Sequence, residues 1–269
     1  MNRLCAQSSA PHPVVIHLEI ISKGFMKNPI LSILLICQGL SFQQAAAQIS
    51  TVKEARIVLE HDGWQLVGDL LLPIAEHSVP AVLLLNQAAG NRTVYKMLAN
   101  HLADKGIASL RLDLRGHGES TNVGRFVPGK SQSRKFIWEA DADIVFAHEY
   151  LLSHSATDTD RIGIVGASYS GEEMAEAGRE RGYARMYVAL SPGSFSEESI
   201  MAIDSSEVSW LFITSKDDRF LQNIAAAVQE KSRTVELLII PGEMHATDIL
   251  QGRPDLVERI AVWLASGLQ

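Results

Sequence analysis

The sequence predicts an α/β fold, with a mostly parallel central sheet, an N-terminal antiparallel hairpin and helices on both faces. Three observations predict it. Two β-like runs, Ala55 to Leu59 and Trp64 to Leu72, flank Glu60-His61-Asp62-Gly63, and Asp-Gly between apolar runs is a strong hairpin signal. From Ala81 onward, short continuous apolar runs alternate with segments of helical spacing, the pattern of parallel strands buried on both faces. The stretch Arg161-Ile162-Gly163-Ile164-Val165-Gly166-Ala167-Ser168-Tyr169-Ser170-Gly171-Glu172 passes from a β-branched run through a small-residue turn into helix-compatible sequence.

After the hairpin, Pro73 to Pro80 is polar and turn-rich, and Ala81 to Leu85 reads as a strand covered on both faces. Asn86 to Asn91 is a loop, and Thr93 can cap a helix running to about Lys105. Ile107 to Leu112 is the next strand. It ends in the loop Asp113-Leu114-Arg115-Gly116-His117-Gly118-Glu119-Ser120, and the polar, basic stretch Thr121 to Lys135 reads as a further loop. Phe136 to Ser153 has helical spacing, and Thr159-Asp160 leads into the serine-bearing strand. Glu172 to Gly182 is the following helix, Met186 to Leu190 and Trp210 to Thr214 are strands, and Arg219 to Lys231 is an amphipathic helix. Val235 to Ile240 is the last strand and Asp255 to Ala265 the closing helix. In such a sheet, functional groups collect where loops leave the C-terminal ends of strands.

The first fifty residues differ in kind. Met26 to Gln48 reads as a secretory signal: Lys27 gives the positive start, Ile30 to Leu40 an apolar run of eleven residues, and Ala45-Ala46-Ala47 the small residues before a cleavage at Gln48. The apolar run is short for a membrane span, which needs ~20 residues; an uncleaved anchor is the alternative. Ile36 is too large for a lipobox ahead of Cys37, and Met1 to Lys23 does not resemble the n-region of a signal, so Met26 is the expected initiator. The expected organisation is therefore residues 1–47 as an extension with a signal peptide and 48–269 as one domain, exported to the periplasm or secreted. Cleavage removes both cysteines, Cys5 and Cys37, which suits an oxidising compartment. The two offer no metal-ligand spacing. A net charge of -7, with no basic patch interleaved with aromatics, argues against a nucleic-acid or anionic-membrane partner.

Ser168 lies in a strand, sharp turn and helix of the nucleophile-elbow kind: Gly166 matches that pattern, Ser170 replaces its second glycine, and Gly171 follows one residue later. Lys216-Asp217-Asp218 follows a buried strand, and Gly242-Glu243-Met244-His245 follows the last one. With the Asp113 to Ser120 loop, these segments make the chain resemble the α/β-hydrolase family across nearly all of Ile57 to Leu264. The order serine, acid, histidine is that family's own, at separations of fifty and twenty-seven residues. The resemblance implies a catalytic triad in which Ser168 is the nucleophile, His245 the base, and Asp218 the carboxylate that orients the imidazole. Asp217 is the rival for the last role. Backbone N–H groups of Tyr169 and of Gln87 or Ala88 are implied as the oxyanion hole, although the family commonly has His-Gly where this chain has Asn86-Gln87. His117, Arg115 and Asp113 are read as shaping the loop beside the site. The remaining histidines, His61, His77, His101, His148 and His154, are read as solvated or capping. Lys130, Arg134 and Lys135 read as a solvated face that could also meet an acidic substrate, and Phe126 and Trp138 as pocket lining or packing.

The chemistry explains these residue types. A serine hydroxyl is a weak nucleophile until an imidazole accepts its proton, and a carboxylate holds that imidazole's tautomer. The resemblance implies hydrolysis of a small-molecule carboxylic ester through an acyl-serine intermediate, with no metal or organic cofactor. Relatives with an Asp nucleophile (dehalogenases, epoxide hydrolases) or a Cys nucleophile (dienelactone hydrolases) are disfavoured by Ser168. The short stretch Ser191 to Ser209 leaves room for only a minimal lid. A peptidase, thioesterase or acyltransferase on the same triad, and a non-catalytic binding protein, are the alternatives.

Overall fold

The computed structural model describes residues 52–269 except 183, 194, 206–207 and 220–234. The predicted signal segment with its Met26 start and Gln48 cleavage site lies outside the described residues, as does the Arg219 to Lys231 helix beyond its first residue. Asp62 and Gly63, at φ 48° and 79°, turn β1 (Val52–His61) back onto β2 (Trp64–Pro73), the left-handed pair that a tight hairpin requires. Six further strands follow: β3 (Val79–Leu85), β4 (Ala108–Leu112), β5 (Thr157–Ala167), β6 (Met186–Leu190), β7 (Ser209–Ser215) and β8 (Val235–Ile240). Their order across the sheet is β1-β2-β4-β3-β5-β6-β7-β8. β2 runs antiparallel to β4, and every later pairing is parallel. The predicted α/β architecture is therefore the observed one.

The helices are α1 (Lys96–Ala103), α2 (Lys135–Trp138), α3 (Ala140–Ser153), α4 (Tyr169–Arg181), α5 (Glu197–Ser205), α6 (Asp248–Gly252) and α7 (Pro254–Leu268). Strand β3 explains how they are distributed. Ala81, Leu83 and Leu85 join the core on one face of the sheet with Ile144 and Leu151 of α3 and Met174 of α4. Val82 and Leu84 join the core on the other face with Leu98 and Leu102 of α1 and Ile260 and Leu264 of α7. A side-chain period of two thus fills both layers from one strand. All described residues belong to one compact unit, and none of the described helices is long and apolar enough to cross a membrane.

Several elements differ from the sequence reading, each for a visible reason. Asn91, not Thr93, caps the segment leading into α1: its Oδ1 accepts the Thr93 N–H at 3.0 Å, and a 3-10 turn, Arg92–Tyr95, precedes the helix. The single helix predicted over Phe136 to Ser153 is broken at Glu139 (φ -102°, ψ 7°). Tertiary contacts override helical periodicity there, because Phe136 is buried against Gly116 and Gly124 while Glu139 is held by Arg115. The stretch after β6 carries α5, fixed by hydroxyls of Ser196 and Ser199 that both donate to Glu176 Oε1 at 2.6 Å.

The loop after β4 is held by buried charge. The Arg115 guanidinium donates to Asp143 at 2.7 Å and to Glu139 at 2.9 Å, while the Arg115 N–H donates to Asp143 Oδ2. Arg92 donates from its backbone and Nη1 to Asp113, from Nε to Asp69 and from Nη2 to Glu119. Gly118 sits at φ 49°, and a Cβ there would fall on the Asp113 carboxylate. Burial pushes the Asp143 carboxyl up, against the opposing pull of Arg115. Removing one partner of such a pair strands the other, which typically costs about 3–5 kcal/mol. Arg115→Met is therefore expected to lower unfolding free energy by about that amount, measured by urea denaturation.

Candidate active site

Ser168 leaves the end of β5 at φ 54°, ψ -125°, a left-handed φ that an ordinary side chain rarely adopts. The turn is tight enough that a Cβ on Gly166 would lie 2.5 Å from the Ser170 carbonyl oxygen and 2.8 Å from the Gly171 nitrogen. Ser170, the departure from the second-glycine position, is completely buried and useful there. Its Oγ accepts the Ala167 N–H at 2.8 Å and lies 3.2 Å from the Leu85 carbonyl to which it can donate, tying the turn to β3. The close approach falls instead at Gly171, where a Cβ would stand 3.1 Å from Pro192.

The three residues expected to act together are brought together. His245, in the loop after β8, places Nε2 3.2 Å from Ser168 Oγ and Nδ1 2.8 Å from Asp218 Oδ2. A carboxylate accepts, so Nδ1 carries the hydrogen and Nε2 presents its lone pair to the serine; the tautomer follows from these partners. The Asp218 side chain is 1% exposed and that of His245 32%, so the carboxylate is shielded while the imidazole borders solvent. Asp217 is exposed, and its N–H donates to the Gly242 carbonyl, which makes it the turn residue rather than the histidine's partner. The acid and histidine loops are also tied directly, since Ser215 Oγ donates to the Met244 carbonyl at 2.6 Å.

Tyr169 is the first residue of α4, where a helix leaves its N–H without an intrahelical acceptor. Its ring stacks on His117, which stacks in turn on Phe126. His117 is buried, donates from Nδ1 to the Arg115 carbonyl at 2.9 Å, and has its pKa lowered by burial. It is thus a neutral packing residue, as read from the sequence, and Phe126 packs with it. Trp138, by contrast, is 66% exposed. Of the other histidines, His77 is exposed and His154 accepts the Ala156 N–H as a local cap. The solvated reading fails for His61, which stacks on Phe146 at 4.5 Å, while His148 is half-buried and its pKa is lowered by that burial.

The Asn86-Gln87 departure also has a structural account. Asn86 is completely buried, accepts the Leu114 N–H and donates to the Gln87 carbonyl, fixing the end of β3 to the loop after β4. The Gln87 side chain crosses to the histidine loop, where Oε1 accepts both the Thr247 N–H and the Thr247 hydroxyl at 2.8 Å. Gln87 and Ala88 lie in a turn closed by the Gly90 N–H on the Gln87 carbonyl, with Ala89 at φ 60°. This side-chain bridge has no signal in the sequence, because no local pattern links residues 160 positions apart. Among the described residues, no group of three or more His, Cys, Asp or Glu could hold a metal ion.

A profile of the family described as X-Pro dipeptidyl-peptidase (S15 family) matches residues 62–201, just over half of the chain. The chain belongs to this S15 family. It is a hydrolase with the α/β-hydrolase fold. The matched segment includes Gln87, Ala88, Ser168 and Tyr169, while Asp218 and His245 lie beyond it. Solved structures agree on the fold. An acetyl xylan esterase from Paenibacillus sp. is 16% identical with a TM-score of 0.64, covering 82% of this chain and 86% of that one. An esterase from Pyrococcus furiosus is 16% identical at 0.63, covering 81% and 91%. A dienelactone hydrolase from Anabaena variabilis is 18% identical at 0.61, covering 81% and 97%. No curated protein sequence matches the chain.

Two outcomes are expected of this geometry. Gln87→Leu breaks the bridge that sets the distance between its loop and the histidine loop. It should lower turnover about 10- to 100-fold, in line with misplacements near 1 Å, measured by steady-state kinetics on an activated ester. Glu173, half-buried on α4, is pushed up from 4.5 to about 8, first by burial and then by Asp141, Glu172 and Glu176. Between pH 4.5 and about 8 the folded state therefore holds a proton that the unfolded state has lost, and stability falls across that window. Glu173→Gln should match the parent's melting temperature at pH 4 and exceed it at pH 9, read by thermal denaturation.

Proposed function

We propose that this chain is a serine esterase that acts on a small-molecule carboxylic ester after export from the cytoplasm. The observation that carries this reading is the hydrogen-bonded series Asp218, His245, Ser168, ending at a serine held in a left-handed turn. In this reading Ser168 Oγ attacks the ester carbonyl while His245 Nε2 takes its proton, and Asp218 stabilises the imidazolium. The oxyanion is met by the Tyr169 N–H and by an N–H from Gln87 or Ala88. Collapse of the tetrahedral intermediate breaks the bond to the alcohol, which leaves with the proton from His245. Water, deprotonated by the same imidazole, then attacks the acyl-serine and releases the acid. Side chains and backbone carry every step, so the reaction calls for no metal or organic cofactor.

A second reading is favoured by the family itself, whose description is that of an X-Pro dipeptidyl-peptidase. The same nucleophile and base would then cleave an amide after a penultimate proline, with His245 protonating an amine. Three substitutions and two substrates separate the possibilities. A fluorophosphonate probe should label the residue 48–269 protein at Ser168, found by peptide mapping, and should leave Ser168→Ala unmodified. A p-nitrophenyl ester should be turned over much faster than an X-Pro p-nitroanilide; the reverse would make the peptidase reading the better one. Asp218→Asn should cost about 10⁴ in turnover, whereas Asp217→Asn should leave it near the parent value. Absence of labelling in folded protein would overturn both hydrolytic readings.

A further inference from the structure

Gln87 and Ala88 share the turn after β3, and neither N–H meets an acceptor among the described residues. Direction separates them. The Gln87 carbonyl accepts two hydrogen bonds, from Asn86 Nδ2 at 2.9 Å and from the Gly90 N–H at 3.0 Å. Asn86 is completely buried, so this carbonyl faces inward. A trans peptide is planar with its N–H opposite its C=O, so the Ala88 N–H faces out of the turn. The Gln87 nitrogen instead lies within the turn, 3.7 Å from where a Cβ on Gly90 would stand.

Measured contacts tie this turn to both reacting side chains. The Leu85 carbonyl, at the end of β3, lies 3.2 Å from the hydroxyl of Ser170, two residues past Ser168. Gln87 Oε1 accepts the Thr247 N–H at 2.8 Å, two residues past His245. Ala88 packs on the apolar cluster that contains Tyr169, whose own N–H opens α4. The turn therefore sits between the residues that follow the nucleophile and those that follow the base. Asn86 touches each fixed part of this arrangement. Its Oδ1 accepts the Leu114 N–H at 2.9 Å, and its Nδ2 donates to the Gln87 carbonyl and lies beside the Tyr169 hydroxyl. One buried amide thus uses its acceptor to hold the loop after β4 and its donors to hold both halves of the oxyanion site.

We propose that Asn86 is the positioning residue of the oxyanion hole, standing where the family commonly has histidine, and that the donor it aims is the Ala88 N–H. The proposal rests on the esterase reading. The test exchanges single backbone amides for esters, with p-nitrophenyl acetate as substrate. Lactic acid in place of Ala88 takes away that N–H and should lower kcat and kcat/KM equally, by about 10²- to 10³-fold. The α-hydroxy analogue of glutamine in place of Gln87 should leave both near the parent values. Asn86→Asp keeps an oxygen for the Leu114 N–H and loses the NH2 group. It should lower kcat about tenfold or more, as a misaimed donor does. The affinity for 1,1,1-trifluoroacetone should fall by the same factor, because its adduct with the serine carries the same oxyanion. A merely structural role would lower the melting temperature without moving kcat and that affinity together. Parent kinetics in Asn86→Asp or in the Ala88 replacement, or a loss confined to the Gln87 replacement, would overturn the proposal while leaving the esterase reading intact. A parent protein that neither turns over the ester nor labels at Ser168 would overturn the esterase reading, and this assignment with it.

Discussion

A left-handed serine between a strand and a helix is unfavourable on its own, and much of the surrounding structure keeps it in place. Gly166 lets β5 pass against the start of α4, Gly171 lets α4 approach Pro192, and the buried hydroxyl of Ser170 spans from the turn to the end of β3. None of these contacts is large by itself. Their combined effect is that the turn cannot relax without opening the sheet beneath it. A hydroxyl in an open loop would pay conformational entropy to reach its partner imidazole; here that cost is met when the chain folds.

The strain is not confined to the serine. Ala89, Ser168, Ser191 and Ala246 all have positive φ without being glycine, and each follows a different strand at the same edge of the sheet. Strained backbone gathers where function needs unusual directions and where neighbours over-determine the conformation. The neighbours here are specific. The Gly90 N–H closes the turn around Ala89, the Ser191 N–H donates to the Ile213 carbonyl, and Asp248 and Ile249 close back onto His245 and Ala246. Buried charge does the same for the loop after β4, where Asp113 and Asp143 collect donors from Arg92 and Arg115.

The sequence made the frame of this site legible because its signals are local. Asp62-Gly63 announces a hairpin, the run from Ala81 to Leu85 a two-faced strand, and the small residues around Ser168 a tight turn. Asp218 and His245 follow apolar strands at the places where the resembled family has its acid and its histidine, and the strand alone does not separate Asp218 from Asp217. The missed features are of another kind. The break at Glu139 comes from Phe136 docking under two glycines of a different segment, and helical periodicity carries no information about that. His61 has neighbours in sequence that suggest a solvated turn, yet Phe146 of α3 covers it. Asn86-Gln87 stands where the resembled family commonly has His-Gly. Both side chains have partners supplied by loops far away in the chain, at Leu114 and Thr247.

The bridge from Gln87 to Thr247 has a kinetic meaning as well as a geometric one. It joins residues 160 positions apart, in the loops after β3 and β8, so forming it closes a long stretch of chain. Contacts of such long range are made late, since the loop between them must close first. A partly folded chain could already own the serine turn, which is local, while lacking the fixed relation between the β3 loop and the histidine. Full reactivity would then appear as a property of the finished molecule alone, and the appearance of turnover during refolding would time the arrival of β8.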